Sequence, residues 1–410
     1  MPVKRWLSRS TIPIFLLLFM LSGMFISRAL LSIASIAFIF SFLLNRRHIP
    51  TNKEVLWGCC LILLPVLLSV IWSYDKQNWW RAVEVKVPLL TIGLGLTAIR
   101  IKISWWRLII AYLLVLTVIG CLWSVWQFVT NSNEILQGYL QAKVMPTPLD
   151  NDHIRFSWLV VLVIILSLQT LQKNNSKIIS AGLYILIAWL VIYLHLLAAK
   201  TGLLCLYTAA LLFIIHKIFV AKNKMIGIVL IVAFFVLPVI AYVSMPSLHH
   251  RIQYVLYDFG NYSKGVFIPG SSDGARVLSL KAGWQLLMQH PVTGVGFGDL
   301  KAAIEQWHQT YYPQSLPTDR FLPLNEWLLY GAASGWMGII AFTAGIFLLL
   351  RIAWCSKIVS RILCVVLVIP LITDDTLESQ FGVVIFIFVL MVTRQLFKLP
   401  EPVPELMKYQ

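Results

Sequence analysis

The sequence predicts an all-α polytopic membrane protein of about twelve transmembrane helices, and three observations carry that expectation. Apolar residues fill 59% of the 410 positions, and the mean hydropathy is +0.82. Apolar runs of bilayer-crossing length recur along the whole chain, and the charged residues, only 12% of the total, collect between them. Alternate connections are short and basic, the pattern of loops held on the cytoplasmic side.

The runs fall near 11–27, 29–44, 55–72, 86–99, 106–129, 156–171, 178–199, 202–216, 225–245, 326–350, 358–373 and 380–396. The opening "MPVKRWLSRSTIPIFLLLFMLSGMFIS" has the basic start of a signal peptide, but no small-x-small cleavage site follows, so it reads as the first span. With that end in the cytoplasm, the inner connections carry Arg46, Arg47 and Lys53; Arg100, Lys102 and Arg107; Lys173 and Lys177; Lys217, Lys222 and Lys224; Arg351, Lys357 and Arg361; and Arg394 and Lys398. The outer connections hold "SYDKQNWWRAVE", "NSNEILQGYLQAKVMPTPLDNDH", residues 246–325 and "TDDTLES", where acids balance or exceed bases. The expected organisation is nine helices in 1–245, one long outer loop in 246–325, three helices in 326–398 and a cytoplasmic tail in 399–410.

Most of the formal net charge of +16 is thereby topological, which excludes the nucleic-acid partner that it would suggest in a soluble chain. Cys59, Cys60, Cys121, Cys205, Cys355 and Cys364 all sit in apolar runs with no CxxC pair and no histidine at metal spacing. They read as small core residues and predict neither a disulfide framework nor a metal site.

The same sidedness collects the unusual residues. Arg155, Lys200, Arg276, Glu326, Asp374, Asp375 and Glu378 lie in, or at the mouths of, spans on the outer face. Ionisable groups at such depth face a cavity or a partner. The outer loop is far longer than a helix connection requires and is expected to be functional. Within it Asp273, with the serines before it, is positioned to cap a helix from about Ala275 to Gln289. Val277, Leu280, Trp284, Leu287 and Met288 share one face, which suits a helix lying on the bilayer with that face down. His290-Pro291 ends it, and Gly294, Gly296 and Gly298 permit a tight reversal; without a preceding strand they make a weak phosphate motif. Trp79-Trp80 and Trp105-Trp106 read as interfacial anchors, whereas Trp307, Tyr311 and Tyr312 offer aromatic faces either to the loop's own packing or to a glycan.

Gly274-Ala275-Arg276 starting a helix that ends in "HPVTGVGFGD" resembles the signature of the O-antigen ligase and O-antigen polymerase superfamily. "NDHIRFSWLVV", "LAAKTGLLCLY" and "DDTLESQFGV" resemble, in the same order, the outer start of a central span, the S/T-R-x-x-LL segment and the penultimate outer turn of that family. The resemblance implies a GT-C-type membrane glycosyltransferase, active on the periplasmic face of a bacterial inner membrane in lipopolysaccharide or surface-polysaccharide assembly. Its donor would be a glycan on undecaprenyl diphosphate. The acceptor would be a sugar hydroxyl on lipid A-core for a ligase, or on another lipid-linked repeat for a polymerase. No cofactor and no metal are implied.

A diphosphate leaving group needs cations, and arginine meets that need with a permanent charge and several donors. Arg276 matches the family's loop arginine; Lys200 stands where the family has arginine; Arg155 is a third cation at the same depth. The helix N-terminus is expected to add positive potential beside Arg276, and the glycine turn to leave room for the glycan. One position departs from the pattern. The stretch "LNEWLLYGAASGWMG" keeps the family frame with Asn325, Gly335 and Gly338, but Leu324 replaces the histidine regarded as the base that activates the acceptor. Glu326 is the nearest replacement, with His290 and His308 as alternatives from the loop. His153 is positioned to bind the acceptor; Asp374, Asp375 and Glu378 either bind sugar hydroxyls or pair with Arg276 and Lys200. Two other classes compete: a transporter of lipid-linked sugars, for which the sequence lacks a clear internal repeat, and a non-catalytic family member, which Leu324 favours.

Overall fold

The computed structural model describes residues 11–45, 52–141, 143–171, 177–220 and 224–398. The expectations for Arg46, Arg47, Lys173, Lys222, the first ten residues and the 399–410 tail lie outside the described residues. Among the described residues all regular structure is helical.

The first helices are α1 (Thr11–Ile26), α2 (Arg28–Asn45), α3 (Lys53–Leu68), α4 (Lys76–Thr97) and α5 (Ile103–Thr130). A short α6 (Ser132–Tyr139) precedes α7 (His153–Leu171), α8 (Lys177–Leu197), α9 (Lys200–Ile215) and α10 (Lys224–Ser244). The long loop forms α11 (Pro246–Ser263), α12 (Ser272–Gln289) and α13 (Leu300–Tyr311), and the chain closes with α14 (Glu326–Ala353), α15 (Ile358–Thr373) and α16 (Gln380–Thr393). Each apolar run coincides with one helix. Among the described residues eight helices are long and apolar enough to cross a membrane; α1, α2 and α15 are shorter apolar helices. The run expected at 86–99 is the second half of α4, whose first half carries Lys76, Arg81, Glu84 and Lys86. Side-chain caps set several starts: Asn52 accepts from Glu54 N, Asp75 from Asn78 N and Asn325 from Leu328 N.

The core centres on α16, in which every residue from Phe381 to Thr393 is buried. It packs on α4, and α3 lies along α14, where Gly58 and Gly345 let the two backbones approach closely. The opposite extreme is α10, whose apolar side chains are mostly exposed, as a lipid-facing helix requires. Contacts between connections sort them into two ends. At one end Arg28 pairs with Asp150 at 2.5 Å, and Asp299 accepts from Tyr74 N and Asp75 N. At the other, Gln395 accepts from Ile101 N, and Glu54 lies 3.6 Å from Arg351. The long loop covers the first end.

One expectation about that loop is corrected. It forms three helices where one was expected, and the residue before α12 is Ser271, with Asp273 inside the first turn. Of the face expected to lie on the bilayer, Leu287 is buried in the protein, and the rest is not packed against it. Ala275, Leu278, Ser279, Ala282, Gly283, Leu286 and Leu287 are buried, largely against α14, whereas Leu280, Trp284 and Met288 are exposed. Small residues bring α12 close to its neighbour: a Cβ on Gly283 would meet Pro323 at 2.8 Å.

Candidate functional site

The turn between α15 and α16 is where four helices meet. Asn325 Nδ2 donates to Ile372 O at 2.9 Å, and Arg276 Nη1 donates to Thr373 O at 2.9 Å. Arg155 donates from Nη2 to Asp375 O (2.6 Å) and Oδ1 (3.2 Å), from Nε to Thr376 O (3.1 Å) and from Nη1 to Asp152 Oδ2 (2.7 Å). Glu326 Oε1 accepts from Leu377 N, and Glu378 Oε1 pairs with Lys86 Nζ at 2.6 Å. Seven consecutive residues, Ile372 to Glu378, thus bring α4, α7, α12 and α14 together at the loop end of the bundle. Proximity explains the electrostatics as well. Burial raises the Asp374 carboxyl, and Arg155 and Arg276 oppose the rise. Burial and then Asp374 raise Asp375 to about 8.

Lys200 opens α9 beside this group and pairs with Asp273 in the first turn of α12, Nζ to Oδ2 at 2.6 Å. The expected open N-terminus of α12 is absent. Asp273 N and Gly274 N donate to Asp258 Oδ2, at 2.7 and 3.3 Å, and Ser272 N donates to the Tyr254 hydroxyl at 2.7 Å. A carboxylate from α11 therefore neutralises the helix end, and the positive potential comes from side chains. His153, at the start of α7, lies within the electrostatic reach of Asp152, Arg251 and Arg276.

At the departure point, Leu324 is buried, and its N–H donates to Ser279 Oγ at 3.3 Å. Glu326 is 0% exposed; its Oε2 has no hydrogen-bond partner, and Lys86, Glu378 and Asp375 are the charges around it. Lys86 and Arg251 escaped the sequence reading. The signal for Lys86 was a lysine within a helical apolar run: it is 1% exposed, with its Nζ 5.3 Å from the Phe297 ring centroid. Arg251 is also buried, on α11, with Asp273, Tyr254, Tyr139 and Arg276 as its electrostatic neighbours.

Other expected residues lie elsewhere. His290 is exposed at the far end of α12, about 21 Å along the helix from Arg276 at 1.5 Å per residue. The glycine turn is docked on α14. Val295 N and Gly296 N donate to Ala332 O and Ala333 O, both at 2.9 Å, and Pro291 O accepts from Trp336 N at 2.9 Å. These bonds fall where Ser334 and Gly335 break the helix. His308 is buried with Nδ1 3.0 Å from Ser315 Oγ, and burial lowers its pKa. Trp307 stacks on Tyr312 and lies tilted against Tyr311, and the three, with Trp284 and Met288, line a groove of ≈ 440 Å³ between α12 and α13. Among the described residues no group of His, Cys, Asp and Glu is arranged to hold a metal ion.

Helices sized for a bilayer, with a cluster of cations and carboxylates gathered under a helical loop, define a multi-pass membrane protein with a charged site at one end. The family model described as O-antigen ligase matches residues 183–343, and that match supports a ligase- or polymerase-type membrane enzyme similar to the O-antigen ligase superfamily. The matched segment includes Lys200, Arg276, Leu324 and Glu326; Arg155 and the 372–378 turn lie outside it. No curated protein matches the chain.

Proposed function

We propose that this protein is a metal-independent GT-C-type glycosyltransferase of the bacterial inner membrane, with both termini cytoplasmic, and that it moves a glycan from undecaprenyl diphosphate to an acceptor sugar hydroxyl on the periplasmic face. One observation carries the reading. Arg276 and Arg155, from α12 and α7, bind one turn at the loop end, and Lys200, from α9, pairs with Asp273 one helical turn from Arg276; each head group is fixed by a carboxylate or a carbonyl. Held cations of this kind need no reorganisation when charge develops on a departing diphosphate.

In this reading the acceptor oxygen forms a bond to the anomeric carbon as the bond from that carbon to the phosphate oxygen breaks. Undecaprenyl diphosphate leaves with the bonding pair, its charge met by Arg276 and Lys200, and Asp375 takes the hydroxyl proton. Asp375 suits that task better than Glu326, because its side chain is 23% accessible and its pKa lies near neutrality. Glu326, enclosed and bonded to Leu377 N, holds the turn in place. His153 and Asn325 flank the acceptor side, and Glu378 is kept from the cations by Lys86.

The test is glycan transfer by the purified full chain in nanodiscs, given an undecaprenyl-diphosphate glycan and a panel of acceptors and followed by mass spectrometry. Arg276→Ala is expected to lower transfer by about 100-fold or more while the protein remains inserted and abundant. A fully active variant would sink the reading. The acceptor that reacts separates ligase from polymerase. Binding of donor without transfer to any acceptor points to a transporter or a non-catalytic relative.

A further inference from the structure

Arg251 belongs to none of the motifs that mark the site. It lies on α11, whose buried face is polar: Ser247, Arg251, Tyr254 and Asp258 follow one another at helical spacing. In a helix this hydrophilic, a buried polar stripe is the informative feature. Three of its four members have fixed partners. Ser247 donates to Leu196 O at 2.7 Å, tying the start of α11 to the turn that leads into Lys200. Tyr254 and Asp258 accept from the first amides of α12.

Arg251 is different. It is 6% exposed, yet neither Nε nor Nη1 has a hydrogen-bond partner, and its closest marked contact is the Tyr254 ring, 5.7 Å from Cζ to centroid. Its position between the Lys200 turn and the start of α12 sets it beside Asp273 and Arg276, and its charge is felt at Lys200 and His153. A buried guanidinium with two unmatched donors, close to two further cations and one shared carboxylate, is costly unless an anion completes it. The anion has to be multiply charged to satisfy three cations at once, and it has to reach the mouth of the spans from the membrane. A lipid diphosphate meets both requirements.

We propose that Arg251 is a phosphate-binding residue whose Nε and Nη1 donate to the diphosphate of the lipid-linked donor, alongside Lys200 and Arg276. The proposal rests on the donor assigned above and adds a residue to it.

The experiment measures binding of undecaprenyl diphosphate to the full chain in nanodiscs, for wild type, Arg251→Met, Arg251→Lys and Arg276→Ala, together with thermal unfolding with and without the lipid. Arg251→Met is expected to bind at least about tenfold more weakly, in line with the loss of one charge-assisted contact, and Arg251→Lys to fall between it and wild type. Without lipid, Arg251→Met should unfold at the same or a higher temperature, since an unmatched buried charge has been removed. Its lipid-induced rise in Tm should shrink. Unchanged affinity in Arg251→Met, with Arg276→Ala weakened, would overturn the role of Arg251 and leave the donor reading intact. A lower Tm without lipid, or failure of Arg251→Met to accumulate, would show that the residue is structural and also overturn the proposal. Wild type that binds the diphosphate no better than undecaprenol would remove the donor reading and this proposal with it.

Discussion

Asp375 stands where several influences on one carboxyl group act together. Burial comes first, then the charge of Asp374, then opposition from Arg155, with Glu378 adding to the rise, and the result is a pKa near 8. A general base works as the carboxylate, so transfer is expected to be slow below about pH 7, to rise through pH 8 and to level off above it. Asp375→Asn should remove both the rise and most of the activity; a pH–rate profile of wild type and variant tests this, and an unchanged profile would refute it. The same shift has a sign for stability. The folded chain keeps the proton between about pH 4, the ordinary range for aspartate, and about 8, so stability falls as pH rises through that window, less steeply in Asp375→Asn.

The glycine turn after α12 and the break in α14 form one device. Gly335 has φ +66° and ψ −165°, a region essentially reserved for glycine. A Cβ there would also collide with the carbonyls of Pro291 and Val292. Gly294, at φ +63°, faces Ala333 and Ser334 from the other side. Gly335→Ala should therefore destabilise the fold by at least about 2 kcal/mol, detaching the 291–298 turn from α14. Gly182→Ala, on α8 with open space around it, should be neutral or slightly stabilising because alanine is the better helix former. Thermal unfolding of both in detergent tests the pair, and equal effects would count against the docking account. Sequence patterning located α12 to within three residues at its start and correctly at its end, because Pro291 and the glycines punctuate strongly. The face that packs on α14 was not legible, since Ala275, Ser279, Ala282 and Gly283 contribute little hydropathy yet let α12 approach α14. Arg276, Lys200 and Glu326 were legible as charges in apolar surroundings. Arg251 was not, because α11 is polar on most sides and only the packed structure separates the stripe at Arg251 from solvated charge.

At the scale of the whole molecule, the alternation of basic and acid-balanced connections is a statement about two faces, and the fold supplies the two ends to which it applies. The end that gathers Arg276, Lys200 and the 372–378 turn carries the acid-balanced connections; the other carries Arg100, Lys102, Lys357 and Lys398. Translocating the second set is opposed by the membrane potential and by the negative surface of the cytoplasmic leaflet. The site end is therefore expected to be periplasmic. Two exposed positions report on the ends: Tyr74, 93% exposed and next to Asp75, which accepts the α4 cap bond, and Ser356, exposed between α14 and α15. In intact cells a membrane-impermeant thiol reagent should label Tyr74→Cys, and it should label Ser356→Cys only after the inner membrane is permeabilised. Of the six native cysteines four are buried and Cys60 and Cys355 partly so, which keeps the background of the unsubstituted chain low. Labelling with the opposite preference would put the cations and the 372–378 turn on the cytoplasmic face. There a lipid-linked donor displayed in the periplasm is out of reach, and the transferase reading would fail on topology alone.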